Sequence, residues 1–299
     1  MKHWSSYIGH EILPTGKRNK VDNNIYTFDI ETTSYIIYKG RQLEPIKYLD
    51  LTQKQKEQCN FYGTMYIWMF GINDDVYYGR TYEEFKEFLQ FIEINTFSQD
   101  VKKIIYVHNL SFEFQFLRNI LQFDKVMARK SRKIMKCSIL NMNYEFRCTL
   151  MMTNCKLEKL PQVYQLDVEK LVGNLDYSKI RHTKTMLTKK ELAYCENDCL
   201  VVYKYITREL QQYDKTKQIP LTSTGHVRRE FKDLITKDYD YRNKVRRAIS
   251  TNGHIYNLLV EAFAGGYTHA NWIYADTIIK NVSSYDFTSS YPSLCYGNT

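Results

Sequence analysis

The pattern of apolar positions divides the chain into short runs and longer stripes. Tyr26-Thr27-Phe28-Asp29-Ile30-Glu31-Thr32 is a strand by its aromatic and β-branched content. Residues 65–70 form a buried strand, with 76–78 as its hairpin partner across Asn73-Asp74-Asp75. Between 82 and 94, Phe85, Phe88, Leu89 and Ile92 fall on one helical face. Residues 104–107 give another strand. It leads into a helix with the stripe Phe112, Phe116, Leu117, Ile120 and Leu121, Ser111 as N-cap and Glu113 in the first turn. Strands over 134–140 and 144–151 flank a hairpin turn at Asn141-Met142-Asn143, and a Leu-spaced amphipathic segment follows over 156–172. Thr188 and Glu191 make a capping box that opens a long helix from Lys189 to about Tyr213. Strand, strand, helix, strand in that order predicts an α/β layered sheet.

Less regular stretches lie between these elements. Residues 1–24 read as a loose lead-in. Residues 34–62, with a Gln/Lys-rich patch at 52–56 expected as a short exposed helix or loop, read as an insertion. Pro220 and the Thr/Ser/Gly cluster at 222–225 mark a boundary, beyond which lie two basic helical pieces, 227–235 and 241–249.

Candidate chemistry enters with the first run. A strand has a side-chain period of two, so Asp29 and Glu31 point the same way. On a solvent face they would be ordinary surface charge. At the end of an apolar strand they repel one another, and a divalent cation is the usual remedy, with all-oxygen donors suiting Mg²⁺ or Mn²⁺. Further candidates are Glu113 after another strand, and Tyr194 with Asp198, which a spacing of four puts one helical turn apart on one face. Four carboxylates can hold two metal ions and support in-line displacement at phosphorus, with Tyr194 orienting the attacking water. As a plain structural residue, Tyr194 would be a half-buried helix tyrosine.

Charge and composition widen this picture only a little. Lys and Arg number 42 against 33 Asp and Glu, a net +9 that favours a polyanionic partner. The 26 Tyr and 15 Phe offer flat faces for unstacked bases, or equally core packing under a coding bias. The seven cysteines contain no C-x-x-C pair, which fits a reducing compartment, and Cys195 and Cys199 read as buried thiols. No apolar run reaches membrane-spanning length and the N-terminus does not open a signal peptide, so a cytoplasmic protein with no membrane partner is expected.

Asp29-Ile30-Glu31-Thr32-Thr33, Asn109-Leu110-Ser111-Phe112-Glu113 and Tyr194-Cys195-Glu196-Asn197-Asp198 resemble the three motifs of the 3′-to-5′ proofreading exonuclease in family B DNA polymerases. Their order and intervals resemble the protein-primed subgroup of phages, linear plasmids and adenoviruses. Phe263-Ala264-Gly265-Gly266-Tyr267 is similar to that family's Tyr-x-Gly-Gly element, and Ser284 to Ser293 is similar to its first palm motif. The resemblance implies an RNase H-like exonuclease domain, a mixed sheet with flanking helices over residues 1–218, followed by the beginning of a polymerase palm domain over 219–299. It implies Asp29, Glu31, Glu113 and Asp198 as ligands of two Mg²⁺ or Mn²⁺ ions, with Tyr194 as the water-orienting phenol. Thr32, His108, Asn109, Phe112, Phe116, Tyr177, Gly265 and Gly266 would contact DNA, although Phe112 and Phe116 also lie on the apolar stripe. Asp286 would be a polymerase metal ligand and Tyr291 a gate at the nucleotide site. The implied partners are single-stranded and primer-template DNA, a terminal protein primer and the remaining C-terminal polymerase part.

Three departures from the family pattern stand out. Glu113 replaces the usual Asp, Val172 occupies the expected lysine position with Lys170 two residues away, and Phe263 replaces a tyrosine. The chain also stops seven residues after Pro292, before the later palm motifs, so residues 1–299 are not expected to extend DNA alone. Two other readings stand beside this one: a stand-alone exonuclease on short RNA or DNA, and a non-catalytic module binding DNA or terminal protein.

Overall fold

Strand alternation sorts the side chains of this protein to two faces of one sheet, and helices cover both. The computed structural model describes residues 1–8, 21–43, 51–95, 101–168, 175–177, 179–249, 252–262, 272–274, 276–285 and 287. Its strands are β1 (Lys2–His3), β2 (Tyr26–Tyr38), β3 (Arg41–Leu43), β4 (Asn60–Ile72), β5 (Asp75–Gly79), β6 (Lys103–Val107), β7 (Phe123–Ala128), β8 (Ile134–Ile139) and β9 (Tyr144–Cys148). Among the described residues they make one mixed sheet, ordered β1-β5-β4-β2-β6-β9-β8-β7, with β3 paired to β2. β2, β6 and β9 are parallel neighbours, and β4 runs antiparallel to β2. The helices of this part are α1 (Gln53–Lys56), α2 (Tyr82–Asn95), α3 (Leu110–Leu117), α4 (Thr149–Thr153), α5 (Leu160–Tyr164), α6 (Lys189–Glu209) and α7 (Ser223–Lys237).

Alternation along β6 shows the division most clearly. Ile105 and Val107 join a core with Phe28, Ile30, Trp68 and Phe70, sealed by Phe85, Phe88, Leu89 and Ile92 of α2. Ile104 and Tyr106 face the other way and pack on Val202, Tyr205 and Ile206 of α6. An earlier stretch of α6 lays Tyr194, Cys195 and Cys199 on Tyr66, Ile67 and Met69 of β4. The two thiols are buried as expected.

The β4–β5 turn holds Asn73 at φ 56°, a left-handed position that asparagine tolerates, and Asn73 Oδ1 accepts the Ile25 N–H at 3.0 Å. At the far end of this hairpin a Cβ on Gly79 would lie 2.3 Å from the Trp68 ring. That ring is fully buried, packs on Phe85 and Phe88, and donates its N–H to the Thr81 carbonyl at 2.9 Å. Gly79→Ala is therefore expected to destabilise the fold by about 1–3 kcal/mol through overpacking, read as a lower urea midpoint at unchanged slope.

Several expectations change. The N-terminal lead-in is not loose throughout: β1 pairs in parallel with β5, and Tyr7 is buried against Tyr77 and Phe88. The strand expected over 144–151 ends at Cys148, where Thr149–Thr153 turns into α4 and closes on Asn154 in the left-handed region. β7 was not foreseen. The described part of the 156–172 segment, up to residue 168, forms a short turn and α5 before Gln165 breaks it, again left-handed. Half of the described part of the expected insertion is strand: β2 and β4 run on together as a ribbon out to the Ile37–Asn60 pair, and α1 is the short helix expected at the Gln/Lys patch. One irregularity interrupts the ribbon, a bulge at which Glu31 pairs with Ile67 but Thr32 pairs with Met65, leaving Tyr66 as the extra residue on β4.

The chain divides into two compact units, Met1–Leu234 and Ile235–Thr299. The division falls inside α7, past the Thr/Ser/Gly cluster at 222–225 where this helix begins. The second unit contains α8 (Tyr239–Ile249) and α9 (Gly253–Ala262), both largely exposed. Among the described residues no helix is long and apolar enough to cross a membrane.

Candidate active site and metal centre

Three elements bring carboxylates together. Asp29 and Glu31 leave β2 on the α6 side of the sheet, and Asp198 meets them from the third turn of α6. One oxygen from each of the three lies within 4.8 Å of the others. Glu31 and Asp198 are buried and Asp29 is half-buried. Glu113 arrives from the first turn of α3, directly after β6. It is 3 % exposed, and its Oε2 has no hydrogen-bond partner among the described residues. Burial, then the Asp29 charge and the Glu31 charge, push its carboxyl well above the usual range. A buried carboxylate oxygen facing like charges without a donor is poorly placed by itself and well placed beside a cation. The donor set is all oxygen and anionic, which fits hard divalent ions such as Mg²⁺ or Mn²⁺.

The capping box expected at Thr188 and Glu191 anchors the start of α6, and residues that spacing did not single out, Arg181 and Arg80, brace it further. Thr188 Oγ1 accepts the Glu191 N–H, while Glu191 accepts the Thr188 N–H at 2.7 Å and its hydroxyl at 2.9 Å. The same Glu191 takes two bonds from Arg181, Nη2 at 2.6 Å and Nε at 3.0 Å, deep in the fold. Arg181 also donates its backbone N–H to Thr33 on β2. Arg80 adds a second brace, from Nε to the Tyr66 carbonyl and from Nη2 to the carbonyls of His182 and Thr185. The helix that carries Tyr194 and Asp198 is thus tied to the strands that carry the other ligands.

Tyr194 is buried and its hydroxyl lies 3.0 Å from that of Tyr177, a largely exposed residue. Burial raises both phenols, with the Glu31 and Asp29 charges adding to it, so each stays protonated and can donate at neutral pH.

At the corner between β6 and α3, Asn109 adopts φ 66° and ψ 47° and caps the helix with no side-chain bond. Ser111, expected as the cap, instead accepts the Ile134 N–H and ties α3 to β8. The buried face of α3 is Leu110, Glu113 and Leu117, so Phe112 turns outward at 41 % exposure, with the Phe116 ring 5.1 Å away and partly buried. The His108 ring is held by fully buried Thr149, Nδ1 to Oγ1 3.1 Å. Thr149 went unnoticed because its run reads as continuing strand. Thr32 is half-buried just past the bulge. Lys170, Val172, Phe263, Gly265, Gly266, Asp286 and Tyr291 lie outside the described residues.

A mixed sheet with helices on both faces, and an acidic cluster between its central strand and α6, are consistent with an RNase H-like fold. The fold is similar to that of Phi29 DNA polymerase complexed with single-stranded DNA, at TM-score 0.57 and 17 % identity over 85 % of this chain and 42 % of that one. It is likewise similar to Phi29 DNA polymerase complexed with primer-template DNA and incoming nucleotides, at TM-score 0.55 and 16 % identity over 86 % and 41 %. The chain thus spans about two fifths of the length of these polymerases. Residues 170–298 match the family of type B DNA polymerases, organellar and viral. No curated protein sequence matches the chain. The family match over residues 170–298 and the likeness of fold agree with the resemblance read from the motifs.

Proposed function

We propose that this chain is the editing part of a protein-primed family B polymerase and removes nucleotides from DNA 3′ ends in a metal-dependent reaction. The observation that carries the reading is the convergence of Asp29, Glu31 and Asp198 with the buried, underbonded Glu113. Asp29, Glu31, Glu113 and Asp198 would hold two Mg²⁺ or Mn²⁺ ions. Bound there, such ions supply an activated water and charge stabilisation for in-line phosphodiester hydrolysis.

The protein's own groups have separate tasks. Tyr194 directs its hydroxyl toward the attacking water, and Tyr177 fixes that hydroxyl's direction. Asn109 and Phe112, both exposed at the β6–α3 corner, receive the terminal nucleotides by polar contact and by stacking, neither of which depends on base identity. His108, with its ring held by Thr149, and Thr32 line the same approach. Glu113 does the work of the shorter aspartate: its extra methylene is accommodated by burial in the first turn of α3. Asp286 and Tyr291 would belong to the polymerising side of the complete enzyme, whose terminal-protein partner follows from the same family reading.

The test is incubation of 5′-labelled single-stranded DNA with the purified chain and Mg²⁺ or Mn²⁺, with EDTA as control. A ladder shortening from the 3′ end, lost in EDTA, is the expected result. Intact DNA from folded protein would overturn catalysis and leave a DNA-binding role.

A further inference from the structure

Beyond the carboxylates, β2 continues for seven residues as the ribbon with β4 and turns at Lys39 and Gly40, φ 48° and 74°, into β3. Thr33 and Tyr35 share the face of β2 that carries Asp29 and Glu31, by the strand's period of two. Tyr35 pairs directly with Tyr62, and the two rings are stacked, centroids 5.5 Å apart and planes at 13°. The ring of exposed His182 stands edge-on to Tyr35 at 6.0 Å. Tyr62 is 44 % exposed. Behind the shelf, on the opposite face, Ile36 is fully buried, so the ribbon is supported on that side. At its tip Lys39 and Arg41 are both exposed. At its root Gly63 lies against Phe116, a Cβ there coming 3.6 Å from the ring, so the ribbon adjoins the helix that carries Phe112 and Glu113.

A cross-strand aromatic pair can exist only to stabilise a ribbon. This one, however, is half open to solvent, lies about 13 Å along the strand from Glu31 at about 3.3 Å per residue, and is followed by cations. Flat rings with basic residues beyond them are the two components of a sequence-tolerant single-strand track. We propose that the ribbon binds the unpaired DNA strand behind the 3′ end, with bases stacking on the Tyr35, Tyr62 and His182 rings and phosphates meeting Lys39 and Arg41. This rests on the exonuclease reading for the polarity of the strand, while binding itself is measured without catalysis.

The test uses the full chain in EDTA and a 5′-fluorescein dodecanucleotide, followed by anisotropy, beside hydrolysis of thymidine 5′-p-nitrophenyl phosphate with Mn²⁺, a substrate with no upstream nucleotides. Tyr35→Thr with Tyr62→Thr is expected to weaken dodecamer binding at least about 10-fold, the loss of one stacking platform, and to leave the small substrate's turnover unchanged. The ring-retaining Tyr35→Phe with Tyr62→Phe is expected to bind as the parent does. Lys39→Gln with Arg41→Gln, which leaves the ring pair intact, is expected to lower the slope of log affinity against log salt by about 1.4, two phosphate contacts on a single strand. Dodecamer affinity within twofold of the parent in the threonine variant, or an unchanged salt slope, overturns the track and leaves the ribbon to a protein partner or to stability alone. An unmodified chain that cannot hydrolyse the small substrate would count against the exonuclease, while the dodecamer result would still decide the ribbon.

Discussion

Replacing Asp29 and Glu31 together with alanine is expected to reduce 3′-end degradation by about 1,000-fold or more, with the protein still folded. The reason is geometric. Each of the two residues offers an oxygen to the point where Asp198 also arrives, within 4.8 Å, and Glu113 is buried beside them. Removing both leaves two carboxylates on separate helices, too few donors to hold two ions, and the several kcal/mol of charge stabilisation that such ions supply correspond to at least three powers of ten. Stability should move the other way. Like charges crowd this cluster, so in EDTA the double variant is expected to melt no lower than the parent, whereas Mn²⁺ should raise the Tm of the parent only. Labelled-DNA degradation and thermal melts with and without Mn²⁺ check both halves. Residual activity within tenfold of the parent would mean that the cluster is not the reactive centre.

Arg181→Ala is expected to cost about 3–5 kcal/mol of stability, the cost of stranding one member of a buried ion pair. Glu191 is 7 % exposed and receives both Arg181 nitrogens. Burial, the largest single influence, acts to raise its carboxyl. The Thr188 N–H, the bond from Arg181, the Thr188 hydroxyl and the Arg181 charge together outweigh it and hold the group down to about 2, against an ordinary 4.5. A carboxyl depressed on folding stabilises fully above its unfolded value and loses that contribution as pH falls through the folded value. The gap between parent and Arg181→Ala should therefore be open at neutral pH and close between about 4.5 and about 2, as chemical unfolding at stepped pH would read. A gap that persists unchanged at pH 2 would mean that Arg181 acts through packing, for example through its place over the Tyr66 ring. Because the pair also anchors the start of α6, the variant should displace Tyr194 and Asp198 and lose nuclease activity beyond what partial unfolding explains.

What the sequence made legible follows from periodicity. Asp29 with Glu31, and Tyr194 with Asp198, are joined by local spacing, so their shared faces could be read before any tertiary contact was known. The α2 stripe came out residue for residue, with Phe85, Phe88, Leu89 and Ile92 buried. β7 could not be read, because most of it is exposed and its pairing with β8 slips twice. α4 hid inside a strand-like run, Thr149-Leu150-Met151-Met152, since nothing local separates such a run from continued strand. Phe112 stood open to two readings, a stripe residue of the core or a contact for DNA; the helix turns its ring out and carries the Glu113 carboxylate inward. Arg80, Arg181 and Thr149 position the site through partners from 10 to more than 100 residues away, a relation that no helical or strand period reveals.

The bulge at Tyr66 works as a parity switch. On the sheet side of it, β4 residues 67 and 69 pair with Glu31 and Asp29; on the far side, residues 64 and 62 pair with Thr33 and Tyr35. Odd numbers thus face α6 before the bulge and even numbers after it. If the ladder ran on through Tyr66 with no bulge, Gly63 rather than Tyr62 would stand opposite Tyr35, and the two-ring shelf would not exist. The ribbon can accordingly lengthen or shorten by matched pairs of residues without changing what it presents, whereas a ladder that paired Tyr66 with Thr32 would turn every β4 side chain of the arm to the other face.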